Sequence, residues 1–263
     1  MKDVTNIKPT KSQQLVLDKM KAFLKSDDKV FVLKGYAGTG KTTVMRFLVK
    51  ELQKGDRNYH LLASTGRASA VLHRISGDDA QTIHSLVYKY KDFNQDVSKM
   101  DVGQSVSGQL YLVFEPCVAD VTAKRHVYIV DEASMVSDTE ARYITQATFG
   151  TGRLLKELLE YDRDPGAQFI LVGDPCQLPP INQVYSPALS ASYIKSTFGC
   201  GVQEASLTEI SRQGDGNSII DASQRVRKLY ASAHDSVEHY GCARYWGKLP
   251  LGSSTNIKLH PNN

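Results

Sequence analysis

Residues 35–43 read Gly-Tyr-Ala-Gly-Thr-Gly-Lys-Thr-Thr, in which Gly35, Gly40, Lys41 and Thr42 fill the pattern G-x-x-x-x-G-K-[ST] around Gly38, Thr39 and Thr43. Glycines at this spacing let the backbone curl its N–H groups into a nest that faces phosphate oxygens. A helix that opens at the lysine adds the positive end of its dipole. Lys41 would then reach the β- and γ-phosphates, and the Thr42 hydroxyl would bind Mg²⁺. Two later runs bring complementary groups. His126-Val127-Tyr128-Ile129-Val130-Asp131-Glu132 is an apolar segment ending in two acids. Asp131 suits Mg²⁺ through its water shell, and Glu132 suits positioning and deprotonating an attacking water. Phe169 to Val172 leads into Gly173-Asp174-Pro175-Cys176-Gln177-Leu178-Pro179-Pro180. The Gln177 amide can bond a phosphate oxygen and a water together, and the prolines stiffen the exit. This is the chemistry of nucleoside triphosphate hydrolysis.

Such groups must be held at the ends of buried strands. Apolar runs at residues 30–34, 59–63, 126–131 and 168–173 are short enough for strands,. Helical spacing separates them: Val16, Leu17, Met20, Phe23 and Leu24; then Val44, Phe47, Leu48 and Leu52; then Ala68 to Leu72. Alternation of the two predicts an α/β fold with a parallel sheet covered by helices on both faces. Residues 89–124 are too long for a crossover; a polar stretch followed by Leu110 to Phe114 predicts an inserted hairpin subdomain. The interval 137–166 predicts a helix, a Gly150-Thr151-Gly152 break and an amphipathic segment at Leu154 to Leu159. One more helix is expected within residues 214–240. From Gly241 the chain is poor in apolar residues and is expected to be loosely ordered.

Composition sets bounds without selecting a function. The chain has 263 residues, 41% hydrophobic and 23% charged, with a net charge of +4, ordinary for a globular protein. That charge is compatible with a polyanionic partner and equally with a mildly basic surface. Cys117, Cys176, Cys200 and Cys242 lie far apart with no C-x-x-C pair, which suits reduced thiols in a cytoplasmic protein,. The first residues lack the apolar stretch of a signal peptide, and no run reaches membrane-spanning length.

The motifs together resemble those of superfamily-one DNA helicases of the RecD-like and Pif-like branch. The phosphate loop, Asp131-Glu132-Ala133-Ser134-Met135 and Gly173 to Pro180 match that family's G-x-x-G-T-G-K-[ST], D-E-A-S-M and G-D-x-x-Q-L-P-P boxes. Gln13 or Gln14 resembles the glutamine that reads adenine. Ala63-Ser64-Thr65-Gly66-Arg67-Ala68 and Thr82-Ile83-His84-Ser85-Leu86 resemble segments near single-stranded DNA. Leu207 to Gln213 resembles an L-T-x-x-x-R-Q motif whose arginine, here Arg212, contacts the γ-phosphate. The resemblance implies a RecA-like P-loop ATPase domain over residues 1–213 that uses ATP and Mg²⁺ and moves 5′ to 3′. Its catalytic set would be Lys41, Glu132, Gln177 and Arg212. Single-stranded DNA would lie against Ser64, Thr65, Arg67, His84 and Pro179. A hydroxyl and guanidinium turn at 64–67 grips phosphate without reading bases. For His84, a ring stacked on a base and a ring that packs structurally weigh equally.

In the family, an insertion before D-E-A-S-M carries a duplex-splitting pin, and residues 89–124 occupy that place with Tyr111 and Phe114. The family's late motifs, T-x-H-x-x-Q-G among them, are not found after Gln213. The expectation is therefore a first motor domain with the edge of a truncated second, whose stepping would need a second motor domain or helicase partner in trans. The rival is a non-motor module that binds nucleotide and DNA. A P-loop kinase fits less well, because Glu132 and Gln177 suit water activation.

Overall fold

The computed structural model describes residues 8–55, 57–94, 111–120, 125–141 and 147–209, all within one compact unit, residues 1–210. The helix expected in 214–240, the tail, Arg212 and Gln213 lie outside the described residues.

Six strands form a parallel sheet in the order β3-β2-β6-β8-β1-β9. They are β1 (Val30–Gly35), β2 (Asn58–Ala63), β3 (Ala80–Thr82), β6 (His126–Asp131), β8 (Gln168–Gly173) and β9 (Val202–Leu207). The four apolar runs became β1, β2, β6 and β8, and every residue of β8 is buried. β3 and β9 were not foreseen: β3 is three residues long, and Val202-Gln203-Glu204-Ala205 carries too few apolar side chains to announce an edge strand.

Successive residues of a strand face opposite sides, and the two cores follow from that. Phe31 and Leu33 join Leu61, Val127, Ile129, Ile170 and Val172 beneath α1 (Lys11–Phe23), α2 (Lys41–Leu52) and α3 (Gly66–Ser76). Val30 and Val32 join Leu62, Tyr128, Val130, Phe169 and Leu171 beneath α4 (Ile83–Val87), α5 (Leu154–Tyr161) and α6 (Ala191–Phe198).

A second sheet has the order β4-β5-β7. β4 (Tyr88–Asn94) and β5 (Tyr111–Pro116) are antiparallel, with a register shift between Tyr90 and Asp92. β7 (Ala147–Phe149) runs parallel to β5. The reading of 137–166 is corrected here: residues 137–141 are not helical and 147–149 form a strand before α5. Two causes are visible. Phe149 stacks on Phe114 at 4.7 Å, which a strand on the hairpin allows. Asp138 is tied by Arg153, the Tyr193 hydroxyl and the Lys156 N–H, which holds its segment extended against α5 and α6.

Toward the amino ends of β2 and β6, the Asp162 carboxylate accepts from the Tyr128 hydroxyl at 2.8 Å and lies 3.0 Å from His126 Nδ1. His60 stacks flat on Tyr128 at 4.9 Å, and its Nε2 is buried with no hydrogen-bond partner among the described residues. Burial, and then the neighbouring His126, hold the His60 imidazole below its ordinary pKa, with Asp162 opposing. A base whose pKa is depressed by folding contributes stability above its unfolded value and loses it as pH falls through the folded value. The melting temperature is therefore expected to fall between pH 7 and pH 5. His60→Phe, which keeps the stack and removes the nitrogen, should reduce that fall in calorimetric scans across the range; an unchanged slope would assign the loss elsewhere.

Candidate functional site

Parallel pairing brings every carboxyl end to one edge of the large sheet, the place where open α/β sheets hold ligands. β1 ends in the glycine loop, with Gly38 and Gly40 at φ 86° and 87°, a region that favours glycine. A Cβ on Gly35 would come within 2.8 Å of Thr39 Oγ1 and 3.2 Å of Leu207 Cβ, so the loop closes tightly beside β9. α2 starts at Lys41 with Gly40 as its N-cap and no side-chain cap, leaving its first N–H groups to face a ligand. The Lys41 ammonium is mostly buried and donates to the carbonyl oxygens of Gly35 at 2.7 Å and Tyr36 at 3.3 Å. Thr42 and Thr43 are half-buried on the first turn.

Thr39 is buried and its hydroxyl donates to Tyr36 O at 2.8 Å. Gln13 stands behind it, donating from Nε2 to Thr39 O at 3.4 Å and completing a capping box with Thr10. Gln14 is exposed and bonds Asp18. Of the two candidate glutamines, only Gln13 touches the loop.

One member of the site carried no assigned role in the sequence. Asp174 follows β8, is buried, and accepts from the Ala37 N–H at 2.9 Å and the Cys176 N–H at 2.9 Å. Its two oxygens thus fix both the phosphate loop and the turn that presents Gln177, which is exposed. The available signal was an acid directly after the apolar run Phe169 to Val172 and Gly173, three residues before Gln177.

Asp131 ends β6, and its Oδ1 accepts the Glu132 N–H at 3.0 Å. Burial first, and then the Glu132 charge, push the Asp131 carboxyl up to about 6, with the Glu132 N–H and Lys41 opposing. Glu132 sits at φ 53°, one of two non-glycine residues described with positive φ, a sterically costly conformation that is common at functional sites. The adjacent carboxylates of Asp131 and Glu132 make a fitting oxygen donor set for a divalent cation, with Thr42 after β1 on the same edge, one strand beyond β8,.

The remaining candidates, apart from Pro179 on the loop after β8, sit on the other half of the edge. Ser64, Thr65 and Arg67 follow β2, and His84 follows β3; Ala63 pairs with Asp131 and with Thr82. At about 4.8 Å per strand, β2 is about 14 Å from β1. Thr65 Oγ1 caps α3 by accepting the Ala68 N–H, and Arg67 is exposed. Ser64 Oγ is buried without a partner. His84 is half-buried, with burial lowering its pKa despite Glu157, and it contacts Phe149 edge-on at 5.0 Å and Tyr88 at 5.6 Å. Pro179, half-buried, follows Gln177 on the β8 loop. The fold therefore brings sixteen scattered site candidates to this edge or onto its loops, with Arg212 alone outside the described residues.

The family described as AAA domain matches residues 11–244. The ATP-dependent DNA helicase dda of Enterobacteria phage T4 is 27% identical over 221 residues, 83% of this chain and 42% of that protein. The ATP-dependent RecD2 DNA helicase of Deinococcus radiodurans is 27% identical over 213 residues, 81% of this chain and 23% of that protein. The crystal structure of Pif1 helicase from Candida albicans superposes with a TM-score of 0.51 at 22% identity, covering 84% of this chain and 44% of that one. The last shows the fold alone: a P-loop α/β sheet of RecA-like type. This chain spans less than half the length of each of these proteins.

Removing the brace from the phosphate loop should weaken nucleotide binding without dissolving the sheet. Asp174→Ala is expected to raise the Kd for ATP about tenfold, the size of one lost charge-assisted hydrogen bond, when measured by titration calorimetry. An unchanged Kd in a folded variant would remove Asp174 from the site.

Proposed function

The chain belongs to the AAA domain family, carries motifs that resemble the earlier ones of superfamily-one RecD-like and Pif-like helicases, and we propose that it is an ATP-dependent DNA helicase motor domain. The observation that carries this reading is the single edge on which a phosphate loop, an acid pair and a basic hydroxyl-bearing turn follow β1, β6 and β2 of one parallel sheet. ATP would seat its phosphates on Gly35 to Thr43, with Gln13 behind the loop. Lys41 would leave the Gly35 and Tyr36 carbonyls for the β- and γ-phosphates. Thr42 and Asp131 would hold Mg²⁺, which supplies neutralising charge to the phosphates when bound.

Glu132 would orient a water and take its proton as the water oxygen attacks the γ-phosphorus and the bridging bond to ADP breaks. Gln177, fixed at its base by Asp174, would touch both water and phosphate, and Arg212 would reach the γ-phosphate. Single-stranded DNA would cross Ser64, Thr65, Arg67 and Pro179, gripped through its phosphates, on a path that passes near His84. Stepping would use a second motor domain, on the same polypeptide or in trans, with 5′ to 3′ direction following the resemblance. β4 and β5 would form the pin-like insertion. No helix among the described residues is long and apolar enough to cross a membrane, and the reading fits a cytoplasmic enzyme. A non-motor module binding nucleotide and DNA is the second reading, since the same edge would serve binding without stepping.

Two measurements separate these. Phosphate release from ATP should rise with single-stranded DNA and drop by at least about a hundredfold in Glu132→Gln, while Lys41→Ala loses nucleotide binding itself. DNA and nucleotide binding without turnover would support the non-motor module, and full nucleotide affinity in Lys41→Ala would overturn the site. Arg67→Ala should weaken oligonucleotide binding uniformly across sequences and reduce the salt slope by about 1, read by fluorescence anisotropy at several salt concentrations.

A further inference from the structure

His84 is joined to the second sheet by rings. Its imidazole meets Phe149 of β7 edge-on at 5.0 Å, Phe149 stacks on Phe114 of β5 at 4.7 Å and 15°, and Phe114 meets Tyr90 of β4 edge-on at 5.9 Å. Tyr88, where α4 becomes β4, closes the group at 5.6 Å from His84 and 5.4 Å from Phe149. A buried carboxylate pins the far side. Glu157 of α5 accepts from the Tyr88 hydroxyl, from the Thr151 N–H at 2.7 Å and from the Thr151 hydroxyl at 3.0 Å. A Cβ at Gly150 would fall on Glu157 Oε1, so the turn after β7 lies directly against that carboxylate. Among the described residues the His84 ring makes no hydrogen bond. Its visible work is aromatic packing.

We propose that His84 is a positioning residue: with Phe149, Phe114 and Tyr88, and with Glu157 as their polar anchor, it holds the three-stranded sheet in fixed register with the 64–67 turn and the start of α4. The role of that register in DNA binding rests on the reading above; the register itself does not. Four tilted or edge-on ring contacts and one stack act together as a strut, because each ring contributes modestly and its neighbour fixes its orientation. A histidine that bonds a DNA phosphate would need its nitrogens. A histidine that completes the strut needs only its flat ring.

The test separates ring from nitrogen. His84→Phe, His84→Ala, Phe149→Leu and Glu157→Gln are compared with the unaltered chain by hydrogen exchange without DNA and by anisotropy with a fluorescein-labelled oligothymidine. In the exchange arm, His84→Ala and Phe149→Leu should deprotect the amides of β4, β5, β7 and 82–87 together, leaving β1, β6 and β8 unchanged, and His84→Phe should restore protection. Deprotection confined to the altered strand would overturn the strut. In the binding arm, His84→Ala and Phe149→Leu should each weaken the oligonucleotide about fivefold, with His84→Phe within about twofold of the unaltered chain. If His84→Phe loses as much affinity as His84→Ala while exchange is normal, His84 is a DNA ligand and the proposal fails. If the unaltered chain does not bind the oligonucleotide, the DNA reading fails and the exchange arm alone decides the strut.

Discussion

The site depends on one short contact, the hydrogen bond from the Ala37 N–H to the buried carboxylate of Asp174. A glycine-rich loop has many conformations of similar energy, and closing it into a nest costs backbone entropy. β1 and β8 pair in parallel with Lys34 opposite Gly173, so the residues leaving both strands emerge side by side. Asp174 uses that proximity to hold the loop with one oxygen and the Gln177 turn with the other. The same parallel register, carried through β8 and β6, sets Asp131 on the adjoining strand end. No loop needs to be long, because the strands have already done the alignment.

Electrostatics at this edge are arranged for a polyanion and a cation together. Asp131 and Glu132 are neighbours in sequence, and the left-handed backbone at Glu132 turns the second acid away from the strand direction. Burial keeps the Asp131 carboxyl costly to ionise, a cost that a divalent ion relieves. Lys41, bonded to two loop carbonyls, supplies the opposite charge from the end of β1, one strand beyond β8. The first N–H groups of α2, with no side-chain cap, and the Asp131–Glu132 pair already face the edge, as expected of a site organised before its ligand arrives,.

The second half of the edge is built differently. There, short helices α3 and α4 begin at Thr65 and Thr82, whose side chains cap them. Capping consumes one lone pair of each hydroxyl but leaves its proton to donate, so Thr65 can serve the helix and a phosphate. His84 turns toward the smaller sheet instead. The two halves thus share a scaffold and differ in what stabilises them: backbone nests around the phosphate loop, side-chain packing around His84.

Much of this was legible in the chain. The pattern Gly35 to Thr42, the apolar runs ending at Asp131 and Gly173, and the helical spacing after Lys41 fix local conformation through short-range steric and hydrophobic rules, so their element types and order follow from the residues alone. What those rules do not carry is the choice of neighbours. Only the folded sheet separates Gln13 from Gln14, because both share one helix and differ solely in which face meets Thr39. Only it gives Asp174 a partner in Ala37, 137 residues away, recruits Val202–Leu207 as an edge strand, and turns Ala147–Phe149 from helix to strand through the Phe114 stack. The sequence by itself determined the chemistry and the strands that carry it; the tertiary structure decided which side chains hold one another, since hydrogen bonds and ring contacts between distant segments exist only once the register has been set.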